Sequence, residues 1–278
     1  MKRADLHVHT THSDGRMTPE QVVHYAKKKG LQAIAITDHD IVTAIAEAEK
    51  VGKENQIEIV PGVELSTLWE DQEIHILGYF VDIHNPALLK ALKKQRQVRE
   101  LRNQLMVKKL QELGIPITLE EVLERKKHTT RKNVGRPHIA EVLIAKGIVH
   151  SMEEAFDRYL GRDGLAYITP DRISPMEAVE MIRNSGGISV IAHPGIYHKD
   201  HLIPVLVEEG LSGIEVDHPD HTNEDRERYL KIAEKYQLIA TAGSDFHGER
   251  NGTMYHADLG TCTVSLLQVN KLKQKAGR

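Results

Sequence analysis

Short apolar runs alternate along the chain with longer amphipathic stretches. Runs rich in Ala, Ile, Val and Leu at 4–8, 33–36, 57–60, 73–80, 187–191, 213–216 and 239–242 read as strands. Several of the stretches between them repeat apolar positions at helical spacing and carry explicit start signals. Thr18-Pro19-Glu20-Gln21 offers a capping residue, a proline at the first helical position and a glutamine able to return the cap. Ser174-Pro175-Met176-Glu177 repeats that logic ahead of Ala178, Val179 and Ile182. Strands alternating with helices place the chain in the α/β class. They imply a parallel sheet, and the seven runs predict a closed or nearly closed barrel. A doubly wound open sheet is the alternative.

The alternation breaks between Asn85 and Tyr167, where the pattern is helical throughout. Helices are expected at 86–113 and 137–145, with capping boxes opening at Thr118 and Ser151. The expected division is a barrel from 1–84 and 168–278, with 85–167 inserted as a helical subdomain. From Lys90 to Arg136 fourteen Lys and Arg stand against five Glu, 14 − 5 = +9; the whole chain is −3, so the remainder carries −12. A long helix with a solvated basic face would explain this. So would a positive lid drawing a polyanion towards an acidic barrel mouth.

Composition narrows the chemistry. With 40% hydrophobic residues in 278, the chain can bury a substantial core. Aromatics at 4% leave few stacking platforms for single-stranded nucleic acid. One cysteine, Cys262, excludes an internal disulfide and a thiolate-rich metal site, and it reads as a small buried hydrophobe. No N-terminal run reads as a signal peptide and none is long enough to span a bilayer, so the expected location is the cytoplasm.

Seventeen histidines matter through their positions. His7 and His9 end the first strand, where alternation puts both imidazoles on one face. Asp14 follows in a turn. Asp38-His39 follows the second strand, Pro61-Gly62-Val63-Glu64 the third, His193-Pro194 the fifth, and Gly243-Ser244-Asp245-Phe246-His247 the last. His75 lies inside the fourth. Most stand at strand C-terminal ends, which in a parallel barrel converge on one face. A core histidine explains any one position. It does not explain nine ligand-type residues at one rim, which would be costly to bury without cations. His12, His24, His84, His128, His150, His198, His201, His218, His221 and His256 read as surface or loop histidines, with His218 and His221 close to the rim.

These motifs resemble those of the PHP (polymerase and histidinol phosphatase) family of metal-dependent phosphoesterases, from the first strand to the last. The resemblance implies a distorted (βα)7 barrel holding up to three divalent metals. Carried over by position, one metal takes His7, His9, Glu64 and Asp245. A second shares Glu64 and adds His75 and His193; a third takes Asp14, His39 and His247. Within the family the chain is similar to nucleoside 3′,5′-bisphosphate phosphatases and RNase AM-type members, which trim short RNA from its 5′ end. That likeness rests on the insertion, on Gly135-Arg136-Pro137-His138-Ile139-Ala140, and on the stretch from Gly187 through the His193-Pro194-Gly195 turn.

The expected reaction is metal-assisted hydrolysis of a phosphate ester, with Glu64, His193 and Asp245 at its centre. Two or three ions are expected, manganese first and iron or zinc as alternatives. Asp5 and Asp38 are expected either to orient imidazoles or to cap loops. Arg136 and His138, at a predicted helix start, are the expected substrate-phosphate contacts, unless Arg136 merely pairs with a carboxylate. The expected substrate is a small phosphorylated nucleotide or short oligonucleotide, with no membrane and no obligate protein partner. The other readings are a histidinol-phosphate-type phosphatase, a metal-dependent amidohydrolase and a non-catalytic nucleotide-sensing module.

Overall fold

The computed structural model describes residues 3–125, 134–250, 253–254 and 256–278. His128 and four basic residues of the positive stretch (Lys126, Lys127, Arg131 and Lys132) lie outside them. Strands form on short runs rich in small and β-branched apolar residues. They are β1 (Arg3–Val8), β2 (Ala33–Ile36), β3 (Glu58–Trp69), β4 (Gln72–Tyr79), β5 (Ile188–Ile191), β6 (Gly213–Asp217) and β7 (Ile239–Ala242). The short β8 (Glu249–Arg250), β9 (Thr253–Met254) and β10 (Val264–Ser265) follow.

The main sheet has eight strands in the order β10-β1-β2-β3-β4-β5-β6-β7. It closes at the mouth, where the His9 N–H donates to Phe246 O at 2.9 Å and the Phe246 N–H to His7 O at 3.2 Å. The result is the expected distorted barrel, with two departures from a parallel sheet. β10 pairs antiparallel with β1. β4 runs antiparallel to both β3 and β5. Glu70 and Asp71 make the two-residue turn behind this, at φ 47° and 59°, the left-handed pair that tight hairpins favour. Because β4 runs backwards, its N-terminal half stands beside the C-terminal ends of its neighbours. That places His75 at the mouth.

The helices are α1 (Pro19–Lys28), α2 (Ile45–Asn55), α3 (Pro86–Glu112), α4 (Leu119–Glu124), α5 (Arg136–Ala145), α6 (Met152–Ala155), α7 (Pro175–Asn184), α8 (Leu202–Glu208), α9 (Asn223–Tyr236) and α10 (Leu266–Lys275). Reciprocal capping boxes open α1, α4 and α7, as the sequence signals require. Leu6, Ala33, Ala35, Val60, Leu77, Tyr79 and Val190 fill the barrel, and Val269 and Leu272 of α10 join them near the start of β1. A second apolar cluster lies between the sheet and its surrounding helices, and a third joins α3 to α5 through Met106, Leu110, Ile139 and Leu143.

Helix α3 links the last two clusters. At 27 residues it is about 40 Å long. Leu88 and Leu92 near its start pack on the barrel, and Met106 and Leu110 near its end pack in the helical cluster. Between them it buries Gln95, Arg99, Arg102 and Asn103. Part of the basic stretch is thus turned inward. Among the described residues, no helix is long and apolar enough to cross a membrane.

Candidate metal centre and adjoining cavity

Strand β1 carries His7, His9 follows directly after its end, and a register shift between Asp5 and Val8 re-phases the strand. Leu6 therefore joins the inner core while both histidines reach the mouth. His7 Nε2 lies 3.4 Å from Glu64 Oε2 and 3.4 Å from Asp245 Oδ1. His9 Nε2 lies 3.1 Å and 3.2 Å from the same two oxygens. None of these four atoms has a hydrogen-bond partner, and all are buried. Donors aimed at one point without satisfying each other are the arrangement a bound cation requires.

Glu64 is the hub. Its Oε2 is 3.0 Å from His39 Nδ1, and its Oε1 is 2.8 Å from His75 Nδ1 and 3.2 Å from His193 Nε2. A further group forms round Asp14, with His247 Nε2 at 3.2 Å, His9 Nδ1 at 3.7 Å and His39 Nε2 at 3.8 Å. All nine ligand-type residues foreseen from the sequence therefore meet at one mouth. His193 and Asp245 sit at φ 28° and 49°, strained values for side-chain-bearing residues of the kind that collect at functional sites. Gly243 is needed beside them: a Cβ there would lie 2.2 Å from His7 Cβ.

The electrostatics fit a cation. Burial opposes a charge on His9, but Asp245 and Glu64 outweigh it and lift the imidazole to about 10. His75 rises to about 9 in the same way, through Glu64 and Glu73. Burial would raise Glu64, yet the surrounding histidines hold it well below the carboxylate range. A negative pocket that favours protonated imidazoles favours a divalent ion for the same reason, and binding one would displace those protons. His193, held neutral at about 4 mainly by burial, is ready to donate a lone pair.

Asp5 and Asp38 take the loop-holding role. Asp38 accepts from the Thr10 N–H at 2.8 Å, the Ser13 N–H at 3.2 Å and Thr10 Oγ1 at 2.6 Å, fixing the turn that bears Asp14. Asp5 accepts from the Ser244 N–H at 3.0 Å and the Gly260 N–H at 2.8 Å. The carboxylate that orients an imidazole is Glu215 on β6, 3.1 Å from His7 Nδ1. Its one signal in the sequence is an acid inside the apolar run 213–216.

His218 and His256, expected as surface or loop histidines, also stand beside the centre. His218 is fully buried with Nε2 3.6 Å from Asp245 Oδ2, and His256 Nε2 lies 3.5 Å from the same oxygen. His221 is buried but structural, since its Nε2 accepts from the Gly195 N–H at 3.1 Å behind His193.

A cavity of about 490 Å³ opens over the centre, lined by Glu64, His75, His193 and Asp245 and also by Arg99, Arg102 and Arg136. A larger one of about 930 Å³ adjoins it through Phe156, Asp220 and His256. Arg136 Nη2 donates to Glu73 Oε2 at 2.8 Å. His138 is buried, and its Nδ1 accepts from the Gly135 N–H at 3.1 Å, in the cap of α5. It does not line this cavity.

Comparison with known proteins agrees with this geometry. The family model for the PHP domain matches residues 5–161, more than half of the 278. The chain belongs to the PHP family. It is 36% identical to the 5′-3′ exoribonuclease Rnm of Escherichia coli, across 87% of this chain and 84% of that protein. It is 33% identical to a 3′,5′-nucleoside bisphosphate phosphatase of Chromobacterium violaceum, across 91% and 90%. A solved structure from Bifidobacterium adolescentis, described as a candidate metal-dependent phosphoesterase, superimposes with TM-score 0.89 at 32% identity, over 99% of this chain and 98% of that one. As a PHP enzyme the chain is a metal-dependent phosphoesterase, with a His, Asp and Glu cluster able to hold metal ions.

Proposed function

We propose that this enzyme removes the 5′-phosphate of nucleoside 3′,5′-bisphosphates and trims short RNA from its 5′ end. The observation that carries this reading is one cavity lined both by a metal donor set and by arginines. A substrate with two phosphates satisfies both groups. The PHP relatives named for an exoribonuclease and a bisphosphate phosphatase support it.

In this reading His7, His9, Glu64 and Asp245 hold one ion, Glu64 shares a second with His75 and His193, and Asp14, His39 and His247 hold a third. Two or three ions are proposed, manganese first, with iron or zinc as alternatives that a nitrogen and oxygen donor set also suits. Such ions supply Lewis acidity and a water acidic enough to attack phosphorus. The chain's residues do the rest. Glu64 ties the groups together, Glu215 fixes the His7 ring, and Arg136 reaches the phosphate that is not cut. His138 supports Arg136 from the cap of the same helix. No side-chain nucleophile is required.

The test is a screen of nucleoside bisphosphates, monophosphates and 5′-phosphorylated oligonucleotides with added Mn, following phosphate and nucleotide release. Release of 5′-phosphate from the bisphosphate ahead of the monophosphate supports the reading. Turnover confined to non-nucleotide phosphates would overturn it.

A further inference from the structure

Tyr197 stands between two residues proposed to share an ion with Glu64. Its hydroxyl oxygen accepts from the His75 backbone N–H at 3.0 Å and lies 2.8 Å from His193 Nδ1, its two hydrogen bonds among the described residues. The residue follows the short turn Pro194–Ile196, is 6% exposed and lines the cavity over the centre. A phenol has one proton to give and two lone pairs to offer. The His75 N–H, which can only donate, takes one lone pair. What the proton does is set by His193. Nε2 of that ring lies 3.2 Å from Glu64 Oε1. Glu64 can only accept, because the surrounding histidines keep it ionised, and His193 is neutral, with one ring proton to place. The proton therefore sits on Nε2, facing Glu64, and Nδ1 accepts from the Tyr197 hydroxyl.

This chain of donors has to reverse once His193 serves as a ligand. Nε2 can offer its lone pair only without its proton, and a neutral imidazole then carries the proton on Nδ1, donating to whatever stands behind it. Behind it stands the Tyr197 oxygen. Both phenolic lone pairs are then filled, one by His75 and one by His193, and the hydroxyl proton has no acceptor left among the described residues. His193 keeps the same charge throughout; only the place of its proton changes, and the hydroxyl turns. The space left for that hydrogen is the cavity, which Tyr197 lines together with Glu64, His75 and His193.

We propose that Tyr197 is a substrate-contacting residue whose hydroxyl donates a hydrogen bond to the phosphoryl group being cut, and that it is free to do so only when His193 holds a metal. The ring ligands and carboxylates of the centre offer lone pairs, so a neutral donor beside them adds what they lack: a proton aimed at phosphate oxygen. The same hydroxyl makes substrate binding depend on a loaded centre, because the metal-free protein spends its proton on His193. The inference rests on the assignment of His193 to an ion in the reading above. It does not depend on which phosphate ester is the substrate.

The experiment follows the His193 ring by nitrogen NMR in histidine-labelled protein, metal-free and loaded with diamagnetic zinc, its signals identified by their absence from His193→Asn. The proton should sit on Nε2 without metal and on Nδ1 with it. Tyr197→Phe keeps the ring and removes the hydroxyl. Its metal affinity should fall, since His193 loses its acceptor, but saturating metal should refill the centre, as elemental analysis will show. At full occupancy, inorganic phosphate should still bind about tenfold or more weakly than to wild type, and kcat/KM for an aryl phosphate should fall by a similar factor, the scale of one hydrogen bond to a charged group. Wild-type phosphate affinity and turnover at full metal would make Tyr197 a support for His193 and overturn the inference alone. Should the variant fail to fold, the wild-type ring decides: Nδ1 protonated in the zinc-loaded protein supports the inference, and Nδ1 unprotonated overturns it. Zinc binding that leaves the His193 signals unmoved would instead sink the ligand assignment, and this inference with it.

Discussion

Glu215 Oε1 stands 3.1 Å from His7 Nδ1, while Oε2 of the same carboxylate accepts from the His193 backbone N–H at 2.9 Å. One buried acid thus sets the ring of a β1 histidine and the strained turn after β5. Carboxylates placed behind a ligating imidazole fix its tautomer and orientation, and losing them costs about 10- to 100-fold in metal affinity. Glu215→Gln should show a loss of that order by metal titration, with the fold intact by circular dichroism. Unchanged affinity would make Glu215 a packing residue.

Glu64 approaches five imidazoles, those of His7, His9, His39, His75 and His193. Glu64→Gln keeps the shape and removes the charge. It should lower both bound metal and turnover, as measured by elemental analysis and phosphate release on one preparation. Full stoichiometry with a normal rate would show that no ion is shared there.

Gly243 lies against β1 so closely that any side chain would meet His7. Gly243→Ala must push β1 and β7 apart at the mouth. Overpacking of this kind costs about 1–3 kcal/mol, so thermal melting should fall and metal affinity with it. A variant with wild-type melting and metal content would contradict the contact.

Arg136 pairs with Glu73 at 2.8 Å while facing the cavity. A charge-assisted hydrogen bond contributes about 1.5–3 kcal/mol, or roughly 10- to 150-fold. Arg136→Ala should reduce the preference for a bisphosphorylated nucleotide over an aryl phosphate, measured as the ratio of kcat/KM values, by that order. Equal loss on both substrates would point to a role in folding or at the scissile phosphate.

What the sequence disclosed, and what it withheld, follows from the range of each signal. Strand-end motifs are local: an apolar run followed by His, Asp or Glu is visible in a few residues, and these meet at the mouth together with Asp14 of a turn and His75 inside β4. The reversal of β4 was hidden because its turn uses Glu70 and Asp71 where glycine or asparagine would have announced a hairpin. Glu215 was hidden because an acid in a strand gains meaning only from His7, 208 residues away. Asp5 and Asp38 were visible as polar residues beside ligands, but the choice between loop and imidazole depends on backbone N–H groups that no pattern exposes. Arg99 and Arg102 looked like part of a solvated helix face, because burial on α3 is set by the barrel and not by the helix's own periodicity.

The central claim is that the histidine and carboxylate cluster is a working metal centre, and metal content measured beside activity tests it most directly. The purified protein should carry two or three divalent transition metals per chain, lose phosphate-ester hydrolysis on exhaustive chelation, and regain it when Mn is restored. Full activity in protein shown by elemental analysis to be free of metal would contradict it.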